Sequence, residues 1–436
     1  MFSPNVFIAR RAVVAELVLA LTVLSACSYD SSDPTYPTEP PPSPTPSAVD
    51  VAFCRGAEPV WVAFQDGDGA WTHARPIAGG QFTRFHHDFT STRGAVARAV
   101  ELSGGLRTLS ILYGAPSELG LVSDTAFQQC SADAQRTLNG TVAGLGANDI
   151  ALVAAGNSLL DFTSNEFGNT WQLRGALAGP QEFLATRGAR VDGVVTLTKM
   201  ILRRSAGLPD GATLPVFDFE SAEAFQPVVR TLTFAGNDGS AVTAFTGLRT
   251  PHSNNFLTFL AGGGATATSP FVAIPEERLA PGELQSAGAT SVPAGNVVRS
   301  AIVYFRAPVD RTITFGAIPS APELSVVSTT PTARLRARFA TQADYDRYTS
   351  INFQQDNTVV SLSMTGAYAT LAGGYELVVP DLTSVAEFDP RWTLRSGARV
   401  LWTTARVGGA LGLNYSAMPR EGDVTRSGTD AGFITP

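Results

Sequence analysis

Apolar residues fall in two patterns along this chain. Residues 17–24 read LVLALTVL, one short unbroken run, whereas from Val49 onward apolar positions come in short runs rich in β-branched and aromatic residues, set apart by Gly, Pro, Asn and Asp. Runs of that kind between turn signals predict strands, and their recurrence predicts an all-β chain. Between 49 and 134 the strand runs are 59–64, 70–75, 81–88, 95–102 and 106–113, with Asp66-Gly67-Asp68-Gly69 as a hairpin turn after the first. Between 135 and 226 they are 139–143, 150–155, 171–174, 181–187, 193–204 and 213–219, followed by a short helical turn at 220–225. Between 227 and 320 they are 229–235, 240–247, 256–260, 271–274, 297–305 and 311–315, with Gly236-Asn237-Asp238-Gly239 as a second hairpin turn and 275–293, rich in Pro and Gly, as a long loop. Pro319-Ser320-Ala321-Pro322 reads as a boundary, and 324–328, 333–339, 349–354, 359–364, 375–379 and 399–407 follow it, with polar 421–436 as a frayed tail. The fold class expected is tandem Ig-like or fibronectin-like β-sandwich domains, over 49–134, 135–226, 227–320 and 321–436, behind a disordered N-terminal tether.

The first apolar run is too short to span a bilayer, follows Arg10 and Arg11, and ends in Leu24-Ser25-Ala26-Cys27. That ending resembles the bacterial lipobox, an aliphatic residue and two small residues before a cysteine. The resemblance implies a signal peptide over 1–26, a diacylglycerol on the Cys27 sulfur, an acylated amine on Cys27 as the mature first residue and, with Ser28 next, an outer-membrane destination. A signal peptide cut elsewhere beside an incidental cysteine is the alternative. Each buried CH₂ adds about 0.8 kcal/mol, so several acyl chains hold where one does not. Residues 27–48 include TYPTEPPPSPTPS, which lacks apolar period and many backbone donors. An extended, partly polyproline II tether at about 3.1 Å per residue follows, holding the folded part off the lipid.

Two weaker resemblances concern the domains. Residues 138–187 are similar to the carboxypeptidase regulatory-like β-sandwich, through Gly140-Thr141-Val142 at the opening and Gly179-Pro180-Gln181-Glu182-Phe183-Leu184 later, although Asn169-Thr170-Trp171-Gln172-Leu173 stands where that family carries its signature. The resemblance implies a structural module with no catalytic residues. Pro322-Glu323-Leu324-Ser325-Val326 and a late strand with Trp402 resemble a fibronectin type III-like sandwich by pattern.

Composition narrows the classes. Charged residues are 16%, with 41 Gly and 28 Pro, which favours strands and turns over helices. Net charge is −7, so a basic footprint for nucleic acid is missing, and Lys199 is the only lysine among 31 basic residues. After the signal no apolar run is long enough for a membrane helix. Setting Cys27 aside leaves Cys54 and Cys130, an even remainder that reads as one disulfide in an oxidising envelope, with two free thiols as the alternative. Closing that loop constrains the unfolded chain by roughly 4 kcal/mol in the entropy model.

Candidate chemistry is sparse. Asp66 and Asp68 have the spacing of a calcium loop's start, but Ile77 stands where its twelfth-position acid belongs. His73, His86, His87 and His252 are the only histidines, and adjacent His86 and His87 point to opposite faces of a strand, so the sequence predicts no metal site. Gly156-Asn157-Ser158-Leu159 lacks the context of a nucleophile elbow, Gly262-Gly263-Gly264 lacks the lysine of a phosphate loop, and Glu276-Glu277 reads as solvated surface. Trp61, Trp71, Trp171, Trp392 and Trp402 read as core before they read as sugar platforms. Arg334, Arg336 and Arg338 alternate with apolar residues and so share one strand face, either solvated or turned to an anionic polymer. The reading is a lipid-anchored protein of the cell envelope, held to the membrane through Cys27, non-catalytic, without cofactor, whose sandwiches meet a protein or glycan partner. A carbohydrate- or anionic-polymer-binding surface protein is the alternative, and a secreted hydrolase with a site assembled from distant residues is the third.

Overall fold

The computed structural model describes residues 47–436 apart from 55–57, 80–81, 103, 121–134, 157–158, 178–179, 192–193, 206, 252, 294–296 and 411–417. Cys27, the signal and tether residues up to 46, Cys130, His252 and the Asn157-Ser158 pair lie outside that set. Cys54 ends the strand Ser47–Cys54 and is disulfide-bonded.

The described chain is all-β, built from packed, mainly antiparallel sheets. One sheet has 12 strands in the order Ser253–Ala265, Val242–Thr250, Leu284–Ser291, Val298–Phe305, Val424–Ile434, Val400–Gly409, Tyr348–Gln355, Thr358–Thr365, Arg107–Gly114, Gly94–Glu101, Trp61–Asp66 and Trp71–His73. Its neighbours pair antiparallel except where Thr358–Thr365 runs parallel to Arg107–Gly114. The segments 49–134, 227–320 and 321–436 therefore lend adjacent strands to a single sheet. Smaller three-stranded sheets cover it: Thr268–Ala273, Val228–Ala235 and Arg311–Thr314 over one part, and Glu323–Ser328, Arg334–Phe339 and Tyr375–Val378 over the next. Ser47–Cys54, Phe82–Phe89 and Ile77–Gly79 cover the opposite face at the far end, so Trp61, Ala63, Ala97 and Ile111 enter one core while Val62, Phe64 and Val96 enter another.

Residues 135–226 form their own sandwich of a four-stranded sheet, Leu159–Ser164, Asp149–Ala155, Gln181–Val191 and Val194–Ser205, on a three-stranded one, Thr170–Leu177, Gln135–Ala143 and Phe217–Asp218. Val153, Ala155, Phe183 and Ile201 face inward onto Trp171 and Phe217, whereas Ala154, Leu184 and Met200 face outward onto Leu248, Ile274 and Leu279 of the next segment. A sheet buried on both faces needs unbroken apolar runs, which is why Asp149–Ala155 reads DIALVAA without alternation. The seam is locked by charge: Arg204 donates from Nε and Nη2 to the two carboxylate oxygens of Glu283 at 2.7 and 2.5 Å, and Glu283, only 1% exposed, also accepts from the Ala280 N–H at 2.7 Å. Arg306 grips the same turn through the carbonyls of Ala280 and Glu283.

Several sequence expectations are corrected. Residues 421–436 are not frayed, because Val424–Ile434 is paired along its length to Val400–Gly409 and over part of it to Val298–Phe305, and Gly397 N–H donates to the Pro436 carbonyl at 2.7 Å. The span 275–293 is not a long loop, since Leu284–Ser291 is an interior strand whose small residues hide its strand character. Gly288, for example, accommodates the Phe245 ring from the neighbouring strand. Gly236-Asn237-Asp238-Gly239 is no hairpin turn, because Val228–Ala235 and Val242–Thr250 belong to different sheets. The Asn237 amide donates to the carbonyls of Ser240 and Thr266 at 2.9 Å, turning the chain from one layer to the other. Within 213–219 the strand proper shrinks to Phe217–Asp218 after Pro215, and 220–225 is a run of turns that brings Phe225 back to bridge Met200.

Candidate functional site

The Asp66 turn closes the expected hairpin between Trp61–Asp66 and Trp71–His73, with Gly67 at φ +57°. Its carboxylate faces back into the fold. One oxygen accepts from Thr90 N–H and Oγ1 at 2.9 and 2.5 Å, and the other accepts from Ser91 N–H at 2.9 Å. Burial opposes the charge, but these hydrogen bonds outweigh it and bring the Asp66 pKa down to about 2. Asp68 is taken by Arg93, so neither carboxylate is free for calcium. Because the folded value lies below the usual 3.8, the stabilisation is complete above about pH 4 and is lost as pH falls through about 2. Asp66→Asn should therefore lower neutral-pH stability by on the order of 1–2 kcal/mol, discounted for partial exposure, and flatten the acid limb of a stability-versus-pH curve. An unchanged acid limb in urea titrations between pH 2 and 5 would remove this account.

Pleating separates the adjacent histidines of Phe82–Phe89. His86 lies on the outer face, where Nδ1 meets Asp50 at 2.8 Å across the sheet and Nε2 meets Asp88 at 3.3 Å. The Asp50 hydrogen bond, with the nearby negative charges, raises its pKa. His87 turns inward, stacked on Phe64 at 5.1 Å and edge-on to Phe89 at 4.6 Å, and burial lowers its pKa. His73 lies parallel to the Trp61 ring at 6.2 Å. Each described histidine thus has a packing or pairing role, and the structure brings none of the three to a common point. Among the described residues no group of three or more His, Cys, Asp or Glu side chains is placed to hold a metal ion.

Trp61, Trp171, Trp392 and Trp402 are buried and Trp71 partly so. Glu276 and Glu277 open a 3₁₀ turn, with Glu276 3.7 Å from Arg306. Gly262, Gly263 and Gly264 lie within the edge strand Ser253–Ala265. A shallow depression of about 410 Å³ is lined by Val229, Arg230, Thr231, Pro270, Val309 and Asp310, where Arg230 and Asp310 are engaged with a backbone carbonyl and the Thr231 N–H.

The arginine row is real. Leu335 and Ala337 are fully buried while Arg334, Arg336 and Arg338 face outward, and Glu376 on the adjacent strand pairs with Arg336 at 3.2 Å and Arg338 at 2.5 Å. Arg334 donates instead to the Val379 carbonyl and lies near enough to the Asp381 carboxylate to help hold its pKa down. Beside this row lies a feature that the linear sequence did not single out. Among the described residues Glu323–Ser328 pairs on one side only, and Val326 and Val327 are 42% and 38% exposed. Two adjacent valines in a short strand signal β structure but carry no mark of which edge stays open.

No family model and no curated protein matches the chain. Among solved structures, it is similar to a Ca²⁺-stabilised adhesin that helps an Antarctic bacterium reach out and bind ice, at 11% identity and a TM-score of 0.15, over 87% of this chain and 90% of that one. A candidate adhesin from Bacteroides ovatus is 9% identical at a TM-score of 0.15, over 39% of this chain and 82% of that one. Likenesses at these TM-scores assign neither fold nor function to the chain.

Proposed function

We propose that this chain is a lipid-anchored protein of the cell envelope, set at the outer membrane, whose β-sandwiches form a non-catalytic scaffold for a partner macromolecule. The observation that carries the reading is the sequence Leu24-Ser25-Ala26-Cys27, with two arginines and a short apolar run before it and the proline-rich tether after it. Cys27 carries the lipid, and Cys54 pairs with Cys130. The scaffold part is supported by where the chain spends its reactive and aromatic residues: two described histidines packed against aromatic rings, four tryptophans in cores, and Asp66 and Asp68 committed to their own loop.

Expression of the full chain in a diderm bacterial host tests the anchor. The parent protein should enter the detergent phase on Triton X-114 partition and yield an N-terminal peptide that starts at Cys27 and carries the mass of its acyl chains. Cys27→Ser should move it to the aqueous phase or leave the precursor unprocessed. Equal partition of parent and variant, or a mature end elsewhere, would overturn the lipid anchor. Peptide mapping without reductant should recover Cys54 joined to Cys130.

A further inference from the structure

The outer edge of Glu323–Ser328 is open, and the surroundings define what fits it. Several other edges of the fold are blunted, while the edge strand Ser253–Ala265 is long and free of proline. In Leu159–Ser164 the Asp161 carboxylate accepts from the outward Phe162 N–H and from Gln172 N–H at 2.9 and 2.7 Å, Thr268–Ala273 contains Pro270, and Trp71–His73 and Ile77–Gly79 have three residues each. The short helix Pro116–Leu119 packs against Ser47–Cys54, with Leu119 in one core with Val49 and Val51. Glu323–Ser328 has none of these devices, although its ladder bulges between Val326 and Ser328. It is six residues long, contains no proline, and among the described residues makes its ladder with Arg334–Phe339 alone.

The core beneath this strand is open on the same flank. Leu324 and Val326 stand opposite fully buried Ala337 and Leu335, so both point inward, yet Leu324 is only partly buried and Val326 is 42% exposed. Charge sets the outer face. Glu323 stands opposite Arg338, but Ser325 and Ser328 stand opposite Arg336 and Arg334, so the edge strand supplies no counter-charge to those two guanidinium groups. Glu376 alone is shared by Arg336 and Arg338 from the other side.

We infer that Glu323–Ser328 is a strand-addition site for an extended acidic segment of a partner protein. The added strand completes the open ladder, lays alternate apolar side chains over Leu324 and Val326, and turns its carboxylates outward within reach of Arg334 and Arg336. A second copy of this edge is a poorer occupant, because its outward residues are one glutamate and serines. The proline-rich tether is poorer still, because it lacks the backbone donors that a ladder needs. The inference names the partner chemistry of the scaffold reading and rests on it, but is independent of the lipid on Cys27.

The test uses the full chain carrying Cys27→Ser, so that failure of the anchor and failure of the edge are separable. The probes are fluorescein-labelled peptides Glu-Val-Glu-Val-Glu-Val-Glu and Lys-Val-Lys-Val-Lys-Val-Lys, followed by anisotropy. The acidic probe should bind saturably and at least tenfold tighter than the basic one. Arg334→Ser with Arg336→Ser should weaken it tenfold or more, and Val326→Lys, at an exposed position that leaves the fold intact by circular dichroism, should do the same. No saturable binding, equal binding of both probes, or indifference to Val326→Lys overturns the site. Binding of a sulfated polysaccharide that Val326→Lys leaves unchanged, with no peptide binding, assigns the arginine row to an anionic glycan instead. Sedimentation that shows a dimer broken by Val326→Lys assigns the edge to a second copy.

Discussion

Replacing Arg204 with alanine is expected to cost about 3 kcal/mol of unfolding free energy and to free the 135–226 sandwich from its neighbour before the rest of the chain unfolds. The reason is asymmetry. Arg204 is partly solvated, but the carboxylate that it serves is not: Glu283 is 1% exposed, and its charge is held by the bidentate guanidinium and the Ala280 N–H. Removing the arginine leaves a buried carboxylate with one hydrogen bond, and such half-broken pairs typically cost several times what an exposed pair contributes. Arg391→Ala is the control, because Arg391 is 68% exposed in its pair with Asp389 and its loss should leave stability nearly unchanged. Urea unfolding followed by tryptophan fluorescence separates the two, since Trp171 reports from inside the 135–226 sandwich. A loss for Arg204→Ala no greater than that for Arg391→Ala would sink the argument.

Trp171→Ala and Gly140→Ala should both destabilise the same sandwich, by about 3–5 and about 2–3 kcal/mol respectively, although one removes bulk and the other adds a methyl. The two residues are directly opposite on paired strands, and the indole lies across the glycine. A Cβ on Gly140 would overlap the ring at Cζ2 and Cε2 and lie 2.8 Å from Nε1. Trp171 is 3% exposed and packs on Phe217 at 5.8 Å, so it has no room to withdraw. Gly79→Ala provides the comparison: nothing stands within 4 Å of its added Cβ, and stability should be unchanged within about 0.5 kcal/mol. Thermal unfolding of the three variants gives the order. A neutral Gly140→Ala would show that the ring is free to move and that the pair is no constraint.

Strand positions were legible wherever burial is one-sided or the run is apolar. Residues 81–88 and 106–113 were expected as strands and fold as Phe82–Phe89 and Arg107–Gly114. The misses share a cause. Leu284–Ser291, LQSAGATS, and Val424–Ile434, VTRSGTDAGFI, are poor in apolar residues, yet each lies between two neighbours that supply its hydrogen bonds and much of its cover. Local propensity has no access to that support. The hairpin assigned to Gly236–Gly239 failed for a related reason: turn residues specify a reversal, not whether the two strands rejoin in one sheet or in two.

The same division holds for the candidate site. His86 and His87 could be assigned to opposite faces from pleating alone, and Arg334, Arg336 and Arg338 to one face, because a period of two is a local property of the backbone. That Glu323–Ser328 lacks a second neighbour among the described residues is a fact about strand order, and strand order is set by contacts between residues far apart in the chain.

What the sequence determined by itself is local: strands, the Asp66 turn, the tether composition and the short apolar run ending at Cys27, each fixed by side-chain chemistry within a few residues. Only the tertiary structure decided that three segments share one sheet of 12 strands, joined by the pairing of Val298–Phe305 with Val424–Ile434 and by the parallel pairing of Thr358–Thr365 with Arg107–Gly114 across more than two hundred residues of chain. It also decided that Glu283 is buried and that the edge beside Arg334 and Arg336 is open. Burial and strand adjacency follow from which surfaces exclude water together, and no window of neighbouring residues contains that information.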